Sequence, residues 1–151
     1  MQETASVEMP LQSEPVPNRE AGWEKATQRM TAKVFDPSVL AELLDLGDES
    51  DREFVIELVE IFLRDAPSRV RAVVDCAERG DLDGVEAAAH ALKGSAGNLG
   101  AVLVRELAES LQLAGRAHDA ATVKSCAPKL RAAYAEAEAE LRRYAAAVRA
   151  Q

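Results

Sequence analysis

Glycines at positions 47, 80, 100 and 115 cut residues 36–148 into stretches whose apolar side chains recur every three or four positions. That recurrence is the period of one face of an α-helix, and no stretch alternates apolar with polar residues as a half-buried strand would. A chain punctuated in this way is expected to be all-α, its helices packed through their apolar stripes. Aromatics are only 4% of the sequence and β-branched residues never gather into alternating runs, which agrees.

The punctuation predicts a short helix followed by four long ones. In "FDPSVLAELLDLG", Asp36 reads as an N-cap, Pro37 as the first helical residue and Gly47 as the stop. The next segment carries one stripe of Phe54, Leu58, Ile61 and Phe62 and another of Val70, Val73, Val74 and Ala77. Pro67 stands between them and is expected to kink or break the helix, because it removes a donor and biases Ala66 away from α. Gly80 ends this segment. Asp83 and Glu86 have capping-box spacing, so a third helix starts near residues 81–83 and ends at Gly100. A fourth, with Leu103, Leu107, Leu111 and Ala114, runs to about Gly115. The last carries Leu130, Tyr134, Ala137, Leu141, Ala145 and Val148, with Pro128 expected to bend its beginning. Short connections between long amphipathic helices imply an antiparallel up-and-down four-helix bundle with a short additional N-terminal helix.

At 151 residues the chain has room for one core. Residues 35–151 form the expected bundle domain and residues 1–34 a disordered or weakly helical N-terminal segment. Pro10, Pro15 and Pro17 lie among polar residues over positions 1–18, too poor in apolar groups to offset ordering entropy. Beyond them, Trp23, Ala26, Met30 and Val34 make only a weak stripe.

The net charge of −8 argues against a nucleic-acid or anionic-lipid partner, either of which calls for clustered Lys and Arg. No apolar run approaches the roughly 20 residues of a membrane span, and the N-terminus lacks a basic region followed by an apolar one, so a cytoplasmic location is expected. Cys76 and Cys126 have neither CxxC nor Cys/His spacing and read as buried structural thiols.

The stretch "AAAHALKGSAGNLGA", residues 87–101, is the part that reads as chemistry. At about 100° per residue, Val85, Ala89, Leu92, Ala96 and Leu99 converge on one side, and His90 points roughly opposite. Ala87, Gly94 and Gly97 share the His90 face, with Glu86 and Lys93 toward its flank. Each interior glycine costs about 1 kcal/mol relative to alanine, which in so alanine-rich a helix needs a reason. One reason is close helix packing. The other is that bulk is excluded beside His90 so that a second macromolecule can reach it. A neutral imidazole carries a free nucleophilic nitrogen able to accept a phosphoryl group, and Lys93, one turn along, could neutralise the phosphoryl oxygens. His118, in "GRAHDAA", lacks this context and reads as a solvated group at a helix end.

The string "HALKGSAGNLGA" resembles the H-x-L-K-G-S-x-x-x-x-G-A signature of histidine phosphotransfer (HPt) domains of bacterial phosphorelays. The resemblance extends to "FDPSVLAELLDLG", "FVIELVEIFLRDAPSRV" and "ERGDLDGVEAAAHALKG", and covers about residues 35–150. It implies that His90 is phosphorylated, that Lys93 stabilises the phosphate and that Gly94 admits a receiver domain. Gln112 falls where some members have a glutamine bonded to the histidine, although spacing alone makes it a polar edge residue. Ser95 matches the signature, but its angle turns it toward the bundle, where packing or backbone bonding is its expected role.

The implied protein is a monomeric phosphocarrier and not an enzyme, since no glycine-rich nucleotide loop is present. It would exchange phosphate with receiver domains of a hybrid histidine kinase or response regulator, and needs no cofactor beyond Mg²⁺ supplied by the receiver. Two alternatives remain at this point: a binding module with the same face but no phosphorylation, and an HPt segment of a larger hybrid sensor kinase. The initial Met and the N-terminal tail favour a free-standing protein.

Overall fold

The computed structural model describes residues 33–44 and 47–151. The readings for residues 1–18 and for 19–32 lie outside the described residues. Five helices follow in order: α1 (Pro37–Leu43), α2 (Glu49–Arg79), α3 (Leu82–Leu99), α4 (Val102–Arg116) and α5 (Ala120–Arg149). α2 packs on α3, α3 on α4, α4 on α5, and α5 closes the ring against α2. The links between the long helices, Gly80–Asp81, Gly100–Ala101 and residues 117–119, are too short for anything but antiparallel neighbours.

Helix boundaries follow local chemistry. Asp36 Oδ1 accepts the Ser38 amide at 3.0 Å and Pro37 takes the first turn. Bonds from the Ser38 hydroxyl and amide hold the Asp36 carboxyl below the usual carboxylate range. α1 ends at Leu43, short of Gly47. Asp48 caps α2 by accepting the Asp51 amide at 3.0 Å, and Asp119 caps α5 by accepting the Thr122 amide at 3.2 Å. Gly80 and Gly100 close α2 and α3 in the left-handed region, at φ 73° and 77°. Asp83 does not cap α3 as its spacing with Glu86 suggested. Asp81 does, accepting the Gly84 amide at 2.9 Å, and Asp83 sits inside the first turn.

α2 runs unbroken through Pro67, against expectation. Ala66 and Val70 on either side of the proline are both buried, and the Ser68 hydroxyl donates to the Asp65 carbonyl at 3.0 Å. Packing therefore offsets a backbone cost of about 3 kcal/mol. The unbroken helix also changes which side faces inward. Val55, Val59 and Phe62 are buried in phase with Ala66, Val70, Val73 and Ala77, whereas Phe54 and Ile61 are 51% and 36% exposed and Leu58 is half-buried. α5 likewise continues through Pro128, beginning eight residues before it. Cys126 is buried, which pushes its thiol pKa up, and Cys76 is only half-buried.

α1 lies across the end of the bundle. The Asp36 amide donates to the Gly100 carbonyl at 2.8 Å, and the Leu103 amide to the Val34 carbonyl at 3.3 Å. The Phe35 and Tyr144 rings meet edge to face at 5.5 Å. A side chain at Gly100 would strike the Asp36 carbonyl, at 2.4 Å from an ideal Cβ. No described helix is long and apolar enough to cross a membrane.

α3 and α4 approach closely at Gly115, where an ideal Cβ would lie 2.7 Å from the Leu82 carbonyl oxygen and 2.9 Å from the Glu86 amide nitrogen. Both are backbone atoms and cannot swing aside. Gly115→Ala should gain about 1 kcal/mol of helix propensity and lose about 1–3 kcal/mol to overpacking, a net destabilisation measurable by urea unfolding. An unchanged or raised midpoint would show that the two backbones are free to separate.

Candidate functional site

α3 buries Val85, Ala89, Leu92, Ala96 and Leu99, the five residues that helical arithmetic assigned to its inner side. His90 is correspondingly exposed. It stands where α3 meets α4, and the seam between them consists of antiparallel rungs. Arg116 Nε donates to Glu86 Oε2 at 2.8 Å. One turn further along α3, Gln112 Nε2 lies 3.1 Å from His90 Nδ1. Two turns beyond that, Arg105 lies across Gly97, its Cδ 3.2 Å from where a Cβ would stand.

Gln112 is not the edge residue that spacing alone suggested. It is only 6% exposed, and its Oε1 has no hydrogen-bond partner among the described residues. A buried amide of this kind fixes the ring of an otherwise free imidazole: with Nδ1 engaged, Nε2 is the nitrogen left facing solvent. Amide oxygen and nitrogen exchange places when the side chain turns over, and Oε1 then accepts from Nδ1–H. That orientation leaves the lone pair on Nε2.

The two glycines on the His90 face have different surroundings. Nothing lies within 4 Å of a Cβ built at Gly94, so the ground beside His90 is open. Gly97 is covered by the Arg105 side chain, so packing against α4 accounts for that glycine in place of open access. Lys93 is half-buried one turn from His90, and no carboxylate among the described residues pairs with it. Ser95 is half-buried and its hydroxyl donates to the Leu92 carbonyl at 3.2 Å, the backbone bonding expected of it. His118, at φ 55° just past α4, is exposed and holds Asp83 Oδ1 at 3.2 Å, two turns of α3 before His90. A groove of about 460 Å³ between α2 and α5, floored by Val74, Ala77 and Ala127, lies on the other side of the bundle and includes none of these residues.

Arg105 and Arg116 did not stand out in the sequence. The available signal was their spacing: with Gln112 they fall at intervals of seven and four, along one edge of α4. That edge becomes meaningful only once α3 is laid against it.

The chain thus presents an exposed histidine, braced from a neighbouring helix, on an open face of a four-helix bundle. The crystal structure of histidine-containing phosphotransfer protein B (HptB) from Pseudomonas aeruginosa PAO1 shares this fold. The match has a TM-score of 0.67 at 22% identity and covers 76% of this chain and 96% of that one. No curated protein sequence matches the chain. The model of the Hpt domain matches residues 57–151, a span that includes His90, Lys93, Gly94 and Gln112. With well over half its length so matched, the chain belongs to the Hpt domain family.

Proposed function

We propose that His90 accepts a phosphoryl group from the phospho-aspartate of one receiver domain and yields it to the aspartate of another. Nε2 attacks phosphorus in line with the departing carboxylate oxygen: a P–N bond forms, the acyl-phosphate P–O bond breaks, and the aspartate leaves as a carboxylate. The proton on Nδ1 stays on the ring, held by Gln112, so the imidazole needs no separate base. Lys93 is placed to draw the phosphoryl oxygens, and the open ground at Gly94 admits the receiver. The Mg²⁺ for each transfer belongs to the receiver. The protein acts as a carrier in the cytoplasm, with no nucleotide chemistry of its own.

The observation that carries this reading is the hydrogen bond between buried Gln112 and the inner ring nitrogen, Nδ1, of the exposed His90. Incubation with a ³²P-phosphorylated receiver domain tests it. The chain should gain about one label per molecule, lost in acid and retained in base, as a P–N bond requires. Absence of label with every receiver encoded by the same genome would overturn the reading.

A further inference from the structure

We propose that Arg105 is a docking contact that orients the receiver by pairing with a carboxylate on it; this rests on the phosphotransfer reading of His90. Gly97 lies seven residues beyond His90, so nearly in line with it and about 10 Å further along α3. The guanidinium arm that crosses Gly97 therefore lies on the same solvent-facing strip that a receiver must cover to reach His90.

The seam is electrically lopsided about the histidine. On one side Arg116 is already neutralised by Glu86 at 2.8 Å. On the other, among the described residues, Arg105 has only its chain neighbour Glu106, at 3.5 Å, and Lys93 has no carboxylate partner. In a chain of net charge −8, loosely held cations at one end of an exposed strip favour an acidic counterpart at that end. A partner could thus dock in one of two opposite directions along α3, and Arg105 selects the one that places its carboxylate over Gly97. The glycine lets the arginine lie flat, close enough to His90 to meet the same partner.

Transfer from a phosphorylated receiver that labels the wild-type chain, measured in single turnovers at increasing chain concentration, separates docking from chemistry. Arg105→Glu should raise the half-saturating concentration by about tenfold, and Arg105→Ala by about threefold, with the rate at saturation retained. Added salt should weaken the wild type more than either variant. Reversing the matching receiver carboxylate to lysine should restore Arg105→Glu. Half-saturation unchanged in Arg105→Glu, with the fold verified by its melting curve, would overturn the proposal, and so would a fall confined to the saturated rate. Should no receiver label the wild type, the phosphotransfer reading fails by itself. Calorimetric binding of a beryllofluoride-activated receiver then decides: affinity weakened by Arg105→Glu keeps the contact, and equal affinity removes it.

Discussion

His90→Gln should carry no phosphoryl label under conditions in which the wild type is fully labelled. Glutamine has no ring nitrogen, so the expected effect is complete loss of transfer and not a reduced rate. The substitution is otherwise mild. The position is exposed, glutamine suits a helix, and its amide can still meet Gln112, so stability should change by no more than about 0.5 kcal/mol. Labelling combined with circular dichroism reads both quantities. Undiminished label would remove His90 from its role. Label moved to His118 would transfer that role to a residue of the α4–α5 turn that the structure shows bonded to Asp83.

Gly94→Gln should change transfer and stability in opposite directions. A Cβ at this position meets nothing within 4 Å, so glutamine gains somewhat under 1 kcal/mol of helix propensity and overpacks nothing. The same side chain occupies the ground beside His90 that a receiver must cover. A displacement of about 1 Å in the approach of the reacting atoms is enough to cost on the order of a hundredfold, so slowing by a factor of about ten or more is expected. Single-turnover transfer and a melting curve on one sample check the pair. A normal rate would mean that the receiver does not approach over Gly94, and a destabilised variant would mean that the helix is packed there after all. Gly115 supplies the contrast: it lies on the next helix, and backbone atoms fill the space where its side chain would be.

α3 was legible in the sequence through its apolar stripe and its closing glycine, which agree, although the aspartate that caps it is Asp81 and not Asp83. α2 was not, and its two errors have one cause. Taking Pro67 as a break lets each half of the helix choose its own inner side, and the large residues Phe54 and Ile61 then look like core. Once the helix is continuous, the inner line is fixed by Ala66, Val70 and Val73, and its phase runs back to Val55 and Val59. The smaller residues are buried because they are in register, and size does not decide it. The difference between Gly94 and Gly97 was illegible for another reason: Arg105 comes from α4, and nothing within residues 87–101 records it. The burial of Gln112 depends in the same way on α3 passing beside it. Sequence thus named the candidate residues, while the arrangement between helices had to come from the packing.

The contact at Gly115 bears on the direction of phosphoryl flow. Because α3 and α4 leave no room for a side chain there, one turn from the Gln112–His90 bond, the nucleophile sits in a closely packed wall between two helices. Under the phosphotransfer reading, receiving and giving use the same geometry at this wall. Under that reading the packed wall adds no direction of its own. Which receiver fills and which empties is then decided by the receivers, through how strongly each holds its phosphoryl group and how much of each is phosphorylated, and the bundle serves as a passive conduit whose flow reverses when that balance does.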